Sequence, residues 1–529
     1  MHRLWVLFLL LPLMAGTAAA QDANAVLQAA STAMGADILN TIQISGAGTN
    51  AAMGQNFDPV SGDLGTEDWP KFEVPSYTKT IDYDTRSSRE EFTERQGRFG
   101  PRGGGGTPLL GDRQSVRIVN GDFAWNMQGT AATPAPAAAE VRQLDIWLTP
   151  HGVLKAAMAA PDATAVVFPV NGPSNPGLTQ DGQERTIVSF TALGKYRVNV
   201  TINDQNLVEL VQTWVANPVL GDMLYETRYV DYRDYAGVKF PGVIHAHEGD
   251  PWVNKGHNTW NILVSAVQVN PAVPAMTVPD AVRQASVPPV RAESQELADG
   301  VWLIGGGSHN SVAVEFRDFV AVIEAPLNEA RSLAVIGEVE RLIPNKPIQY
   351  LVNTHHHFDH AGGLRTYVAL GTTIVTHPEN REFYEDVVFS PAPRTLQPDR
   401  LSTLYPYFSI DREPRLETVM HIGDMRNTGY NKFVVSDGER VLDIYPVHGL
   451  AHANTMLIVY LPREKMLVNA DLYSPPAPGV QPPATPSPAT VTLQQNIQRL
   501  KLDVTQHVPI HGRVGTMEEF VEIVGTGTN

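Results

Sequence analysis

Residues 355–360 read His355-His356-His357-Phe358-Asp359-His360, a His-x-His-x-Asp-His pattern that constrains the fold around it. These donors cannot share one face of a helix or a strand, whose periods are 3.6 and 2 residues. A loop at the end of a strand can turn them all inward, and Ile348 to Val352 reads as such a strand. Imidazole and carboxylate suit Zn²⁺ and its first-row neighbours. The competing reading is a polar loop of solvated histidines. The chain holds only 16 His, so chance assembly of this spacing is a poor explanation.

A metal site needs more donors than one loop supplies. Eleven of the 16 His lie after residue 300. His452 precedes the apolar run Met456 to Leu461, Asp471 ends the run Met466 to Ala470, and His511 sits in Val508-Pro509-Ile510-His511-Gly512. Each stands beside a strand-like stretch.

Taken in order, Gly305-Gly306-Gly307-Ser308-His309-Asn310-Ser311, the run Thr354 to Gly363, then His452, Asp471 and His511 resemble the metallo-β-lactamase superfamily over residues 295–525. The resemblance implies an αβ/βα sandwich with metals at the ends of two sheets. It implies His355, His357 and His452 as ligands of a first metal. Asp359, His360 and His511 would hold a second, and Asp471 would bridge both, as in the glyoxalase II-like branch. Two Zn²⁺ are expected, with iron or manganese as alternatives. The implied reaction is attack by metal-bound hydroxide on an ester, thioester, lactone or amide, with Asp359 steering the nucleophile or shuttling its proton. Three positions depart from the family pattern: Glu324 where a structural Asp is usual, Ala470 before the bridging Asp, and Ala453 after His452. None removes a ligand.

Two rival functions are a β-lactam hydrolase and a hydrophobic-ligand carrier with a vestigial metal domain. No Lys lies just beyond Asp471 to hold a β-lactam carboxylate, and an intact ligand set argues against decay. Of the remaining histidines, His356 is expected to point away from the metals, solvated or as a neighbour of the ligands. His448 reads as a neighbour of the site or a surface residue, His377 as structural, and His309 as lying near the pocket rim. His507, His421, His245 and His247 receive no role. Arg394, Arg400, Tyr405 and Tyr407 are candidate substrate contacts.

The 529 residues exceed one ordinary core and call for two or more domains. A net charge of −17 argues against a nucleic-acid partner, which would normally meet a basic face; the hydrolase reading implies a small-molecule substrate. Met1-His2-Arg3, the apolar Leu4 to Ala15 and Ala18-Ala19-Ala20 read as a Sec-type signal peptide cleaved near Ala20-Gln21, which implies a periplasmic or secreted protein. No later stretch is long and apolar enough to span a membrane. There is no Cys, hence no disulfide and no Cys-liganded metal site.

The whole chain reads as α+β. Residues 1–20 form the signal peptide and 21–270 a β-rich accessory domain. A Pro-rich linker covers 271–292 and the catalytic domain 293–529. The β-rich part opens on a helix at Asp22 to Ala36 with Val26, Ala29, Ala30 and Ala33 on one side. Alternating strands follow, with hairpin turns at Asn120-Gly121-Asp122 and Asn203 to Asn206. Thr149 and Asn328 read as helix N-caps. Gly97 to Gly106 and Ala131 to Ala139 read as loops. This meander weakly resembles the half-barrel of periplasmic lipoprotein carriers. An open half-barrel would hold a lipid or hydrophobic ligand; a closed one would be a scaffold for the catalytic domain.

Overall fold

The computed structural model describes residues 19–59, 69–168, 184–250, 257–390, 392–406, 413–419 and 432–525. The greater part of the signal-like segment, Tyr407 and His421 lie outside the described residues. Among the described residues, no helix is long and apolar enough to cross a membrane.

The N-terminal part is one antiparallel sheet of fourteen strands among the described residues, built from two meanders and the short strand Ala19–Gln21 at one edge. One runs from Thr41–Ala51 to Ala131–Pro134 and the other from Thr164–Phe168 to His257–Val269. They join where His257–Val269 pairs with Thr41–Ala51, register Ile262↔Gly48. The helix Ala139–Trp147 touches strands of the first meander, while the adjoining helix Pro150–Ala159 touches Arg185–Ala192 and Val208–Asn217 of the second. Those strands are far apart in the sheet, so the sheet curls around the helices. Thr149 caps the second helix, its side chain accepting from Gly152 N at 3.2 Å.

A cavity of about 120 Å³ remains between sheet and helices. Its lining includes Tyr77, Lys79, Glu90, Asp145, Tyr225 and Trp260, a mixture of rings and charges. Lys79 and Glu90, register partners on adjacent strands of its wall, form an ion pair at 3.5 Å.

Three local expectations change. The first helix is Ala23–Met34; of the expected side Ala30 is buried and Val26 half-buried, and Ala23, Leu27, Ser31 and Met34 are buried with them. Burying Leu27 and Met34 removes more apolar surface than burying the small residues beside Val26 would. Ala131–Pro134 is not a loop but the edge strand of the sheet, where a Pro at the strand end costs no ladder bond. The segment 271–292 is not a free linker along its whole length. Its short helix Asp280–Gln284 buries Val282, which packs with Val278 on Ile118 and Trp125.

Among the described residues, the C-terminal part is a sandwich of a seven-stranded and a six-stranded sheet. In the first, Glu293–Ala298, Val301–Gly305, Ser311–Glu315 and Val320–Ile323 run antiparallel. Ile348–Val352, Thr373–Thr376 and Arg415–Thr418 then add in parallel. Val320–Ile323 is buried at every position, as a central strand covered on both faces must be. The second sheet orders Phe433–Ser436, Val441–Pro446, Leu457–Leu461, Met466–Asn469, Gln506–Pro509 and Gly515–Thr516. Val314, Ile323 and Val352 pack with Leu442, Ile444 and Val459 in one core. The helix Glu329–Leu342, capped by the Asn328 side chain, lies on the outside of the first sheet. Pro488–Leu500 and Met517–Gly525 join the core from the second.

Candidate metal centre

The site forms where strands of both sheets end. Ile348–Val352 ends just before the His-x-His-x-Asp-His segment, whose last residues start a short helix Phe358–Ala361. Met466–Asn469 delivers Asp471, which sits at φ 57°, and Gln506–Pro509 delivers His511. All seven donors expected from the sequence come together. One group contains His355, His357, His452 and Asp471, and another His309, Asp359, His360 and His511.

Asp471 stands between the groups. Its Oδ2 lies 2.9 Å from His452 Nε2, 3.1 Å from His360 Nε2 and 3.3 Å from His355 Nε2. Its Oδ1 lies 2.8 Å from His511 Nε2. His355 Nε2 and His357 Nδ1 are 3.0 Å apart. Ligand atoms sharing one tetrahedral cation at about 2.0–2.1 Å stand roughly 3.3 Å from one another, close to these separations. His452 Nε2 is buried without a hydrogen-bond partner, although Asp471 Oδ2 is near it. A donor aimed at a common point rather than at its neighbour fits a cation between them.

The outer nitrogens fix which atom faces inward. His360 Nδ1 is 3.0 Å from Glu324 Oε2, His357 Nε2 is 2.9 Å from the Asn56 carbonyl, and His511 Nδ1 is 3.2 Å from the Ser308 carbonyl. Each acceptor takes the ring proton and leaves the inner nitrogen with its lone pair free. His355 Nδ1 faces the Thr354 hydroxyl at 3.0 Å. Glu324, fully buried, also accepts from Asn353 Nδ2 at 2.9 Å and from the Thr354 hydroxyl. The departure from the usual Asp therefore leaves a carboxylate in contact with this histidine. Asn310 pins the His511 turn, donating to the Pro509 and Gly512 carbonyls at 3.0 and 2.8 Å.

The electrostatics favour a cation. Burial, and then neighbouring imidazoles, hold His355 and His357 well below the usual histidine range. Burial works to raise the Asp471 carboxyl, but His360 and the other histidines around it hold it well below the usual carboxylate range. Burial likewise opposes ionisation of Asp359, and the His309 contact with His360 and His355 outweighs it. Burial alone would depress His360, yet Asp471 and Glu324 raise it well above the usual histidine range. His355, His357 and His360 are fully buried, whereas the Asp359 and His511 side chains are 36% and 31% exposed, so the centre opens on that side.

Several side chains differ from expectation. His356 does not: of its two expected places it takes the one beside the ligands, fully buried, with Nδ1 2.7 Å from Thr455 Oγ1 and Nε2 2.9 Å from Asn56 O. His309 lies inside the second group, its Nε2 3.2 Å from Asp359 Oδ2 and its ring 4.1 Å from that of His511. The Ser-His-Asn run in front of a strand was the available signal. Arg394 is not a substrate contact: it is buried and donates to the Pro218 and Val219 carbonyls, each at 2.9 Å. His377 caps the turn at Glu379, as a structural residue does. His448 is exposed. His507 is buried against Tyr473 and Phe520. His245 and His247 share a face, their Nε2 atoms 2.8 Å apart.

A two-sheet sandwich with a His/Asp centre at the strand ends defines a class of metal-dependent hydrolases. Residues 304–504 match the model of the metallo-beta-lactamase superfamily. Three solved structures are similar to this part of the protein, each with a TM-score of 0.31 over 45% of this chain. They are a metallo-beta-lactamase from Pontibacter korlensis (15% identity, 98% of that chain), FIM-1 from Pseudomonas aeruginosa in its mono-zinc form (18%, 95%) and a metallo-beta-lactamase from Hirschia baltica (17%, 97%). No curated protein matches the chain.

Proposed function

We propose that the protein is an exported binuclear zinc hydrolase acting on an ester, thioester, lactone or amide. The observation that carries this reading is the Asp471 carboxylate, one oxygen near His355, His360 and His452 and the other at His511. His355, His357 and His452 would hold the first cation, Asp359, His360 and His511 the second, with Asp471 shared. When bound, such a pair supplies an acidified water and a Lewis acid for the substrate oxygen. Iron or manganese would find the same nitrogen and oxygen donors acceptable.

The protein's own residues orient and hold. Asp359 Oδ1 accepts from Gln55 Nε2 at 2.7 Å, and Oδ2 faces His309. A carboxylate so strongly favoured in its charged form steers a nucleophile better than it stores a proton. The half-exposed flank at Asp359 and His511 is the side on which substrate would enter. The segment 1–20 and the acidic charge fit an exported protein that handles small molecules.

Turnover of a panel of chromogenic esters, lactones, phosphodiesters and a cephalosporin, with and without a chelator, tests the proposal. Chelator-sensitive hydrolysis of a carboxyl derivative supports it. Cephalosporin turnover alone makes it a β-lactam hydrolase, and no turnover after metal reconstitution refutes it.

A further inference from the structure

We propose that the N-terminal sheet is a working part of the metal centre, with Gln55 as the positioning residue for Asp359. This rests on the binuclear reading given above. Gln55 follows the strand Thr41–Ala51, 304 residues before its partner. Its Oε1 accepts from Gly105 N at 3.0 Å, which orients the amide and aims Nε2 at Asp359 Oδ1, 2.7 Å away. Its backbone carbonyl accepts from Gly104 N at 2.8 Å. The next carbonyl, Asn56 O, takes the ring nitrogens of both His356 and His357 at 2.9 Å. One loop thus orients a proposed ligand of each cation.

The loop is stitched to the histidine segments it serves. Phe358 N donates to Gly54 O at 3.2 Å, Asn454 N to Phe57 O at 3.0 Å, and Gly103 N to Ala451 O at 2.8 Å. The glycine run is consequently not a free loop. A Cβ on Gly104 would fall 2.1 Å from Gln55 Oε1 and 2.9 Å from His357 Cε1, so only a bare backbone fits against that histidine. Outer contacts of this kind fix ligand orientation, and their loss typically lowers metal affinity or activity about 10- to 100-fold.

The test uses the full-length protein with zinc and, separately, cobalt as probes, and three forms: wild type, Gln55→Leu and Gly104→Ala. Stepwise affinity is read by competition with a chromogenic chelator, ligand geometry by the cobalt absorption spectrum, and folding by thermal unfolding without metal. Gln55→Leu is expected to unfold with wild type and keep the tighter zinc. Its second zinc should bind about 10- to 100-fold more weakly. Gly104→Ala is expected to change the cobalt spectrum through His357. Wild-type stepwise affinities in Gln55→Leu, together with an unchanged spectrum in Gly104→Ala, overturn the inference while leaving the hydrolase reading intact. If Gln55→Leu does not fold, the Gly104→Ala spectrum decides. Wild-type protein that binds neither cation overturns both.

Discussion

Glu324 and His360 are both fully buried, with Glu324 Oε2 3.0 Å from His360 Nδ1. Glu324 adopts φ 76°, a strained conformation for a residue with a side chain, and its carboxylate is the acceptor for three neighbours. Strain of this kind persists where surrounding bonds over-determine it. We predict that Glu324→Gln, which keeps the shape and removes the charge, weakens binding of one zinc about tenfold. Chelator competition checks this, and unchanged affinity would show that the pair is merely structural.

Arg394 joins the two parts of the chain. Besides the Pro218 and Val219 carbonyls, it approaches Asp399 at 3.3 Å, and burial depresses its guanidinium to about 10. Arg394→Ala leaves those carbonyls and part of the Asp399 charge without their donor, and should destabilise the protein by about 3 kcal/mol. Denaturant unfolding reads the loss. A change within 0.5 kcal/mol would place the junction elsewhere.

Acid should destabilise the fold through buried neutral histidines. Burial depresses His151 and His507 to about 4 and His356 to about 3. In the unfolded chain a histidine takes its proton near 6.5. Between these values the unfolded state binds more protons, so stability is complete above pH 6.5 and falls as pH drops toward 4. His151 is fully buried, stacked on Phe240 with ring centroids 5.8 Å apart, and should account for roughly 3 kcal/mol of that loss. Thermal unfolding from pH 7 to 5 should fall less steeply in His151→Phe, and parallel curves would contradict the assignment.

The donor set was legible because metal chemistry restricts residue type and spacing so tightly. Strands flanking His355, Asp471 and His511 were legible because buried runs such as Met466–Asn469 leave few alternatives. Gln55, Asn56 and Gly104 carried no local signal: the site residues they meet, Asp359 and His357, lie more than 250 residues away, and chain order says nothing of which loops meet. Arg394 read as a candidate substrate contact. Its partners are backbone carbonyls, which every sequence has and none advertises.

The shared Asp471 is the centre of the account, and metal content tests it most directly. Elemental analysis of wild type, His355→Ala and Asp471→Ala, purified and reconstituted in parallel, should find about two zinc per wild-type chain. Both variants should lose metal and turnover together. Full metal content with full activity in Asp471→Ala would contradict a shared carboxylate between two cations.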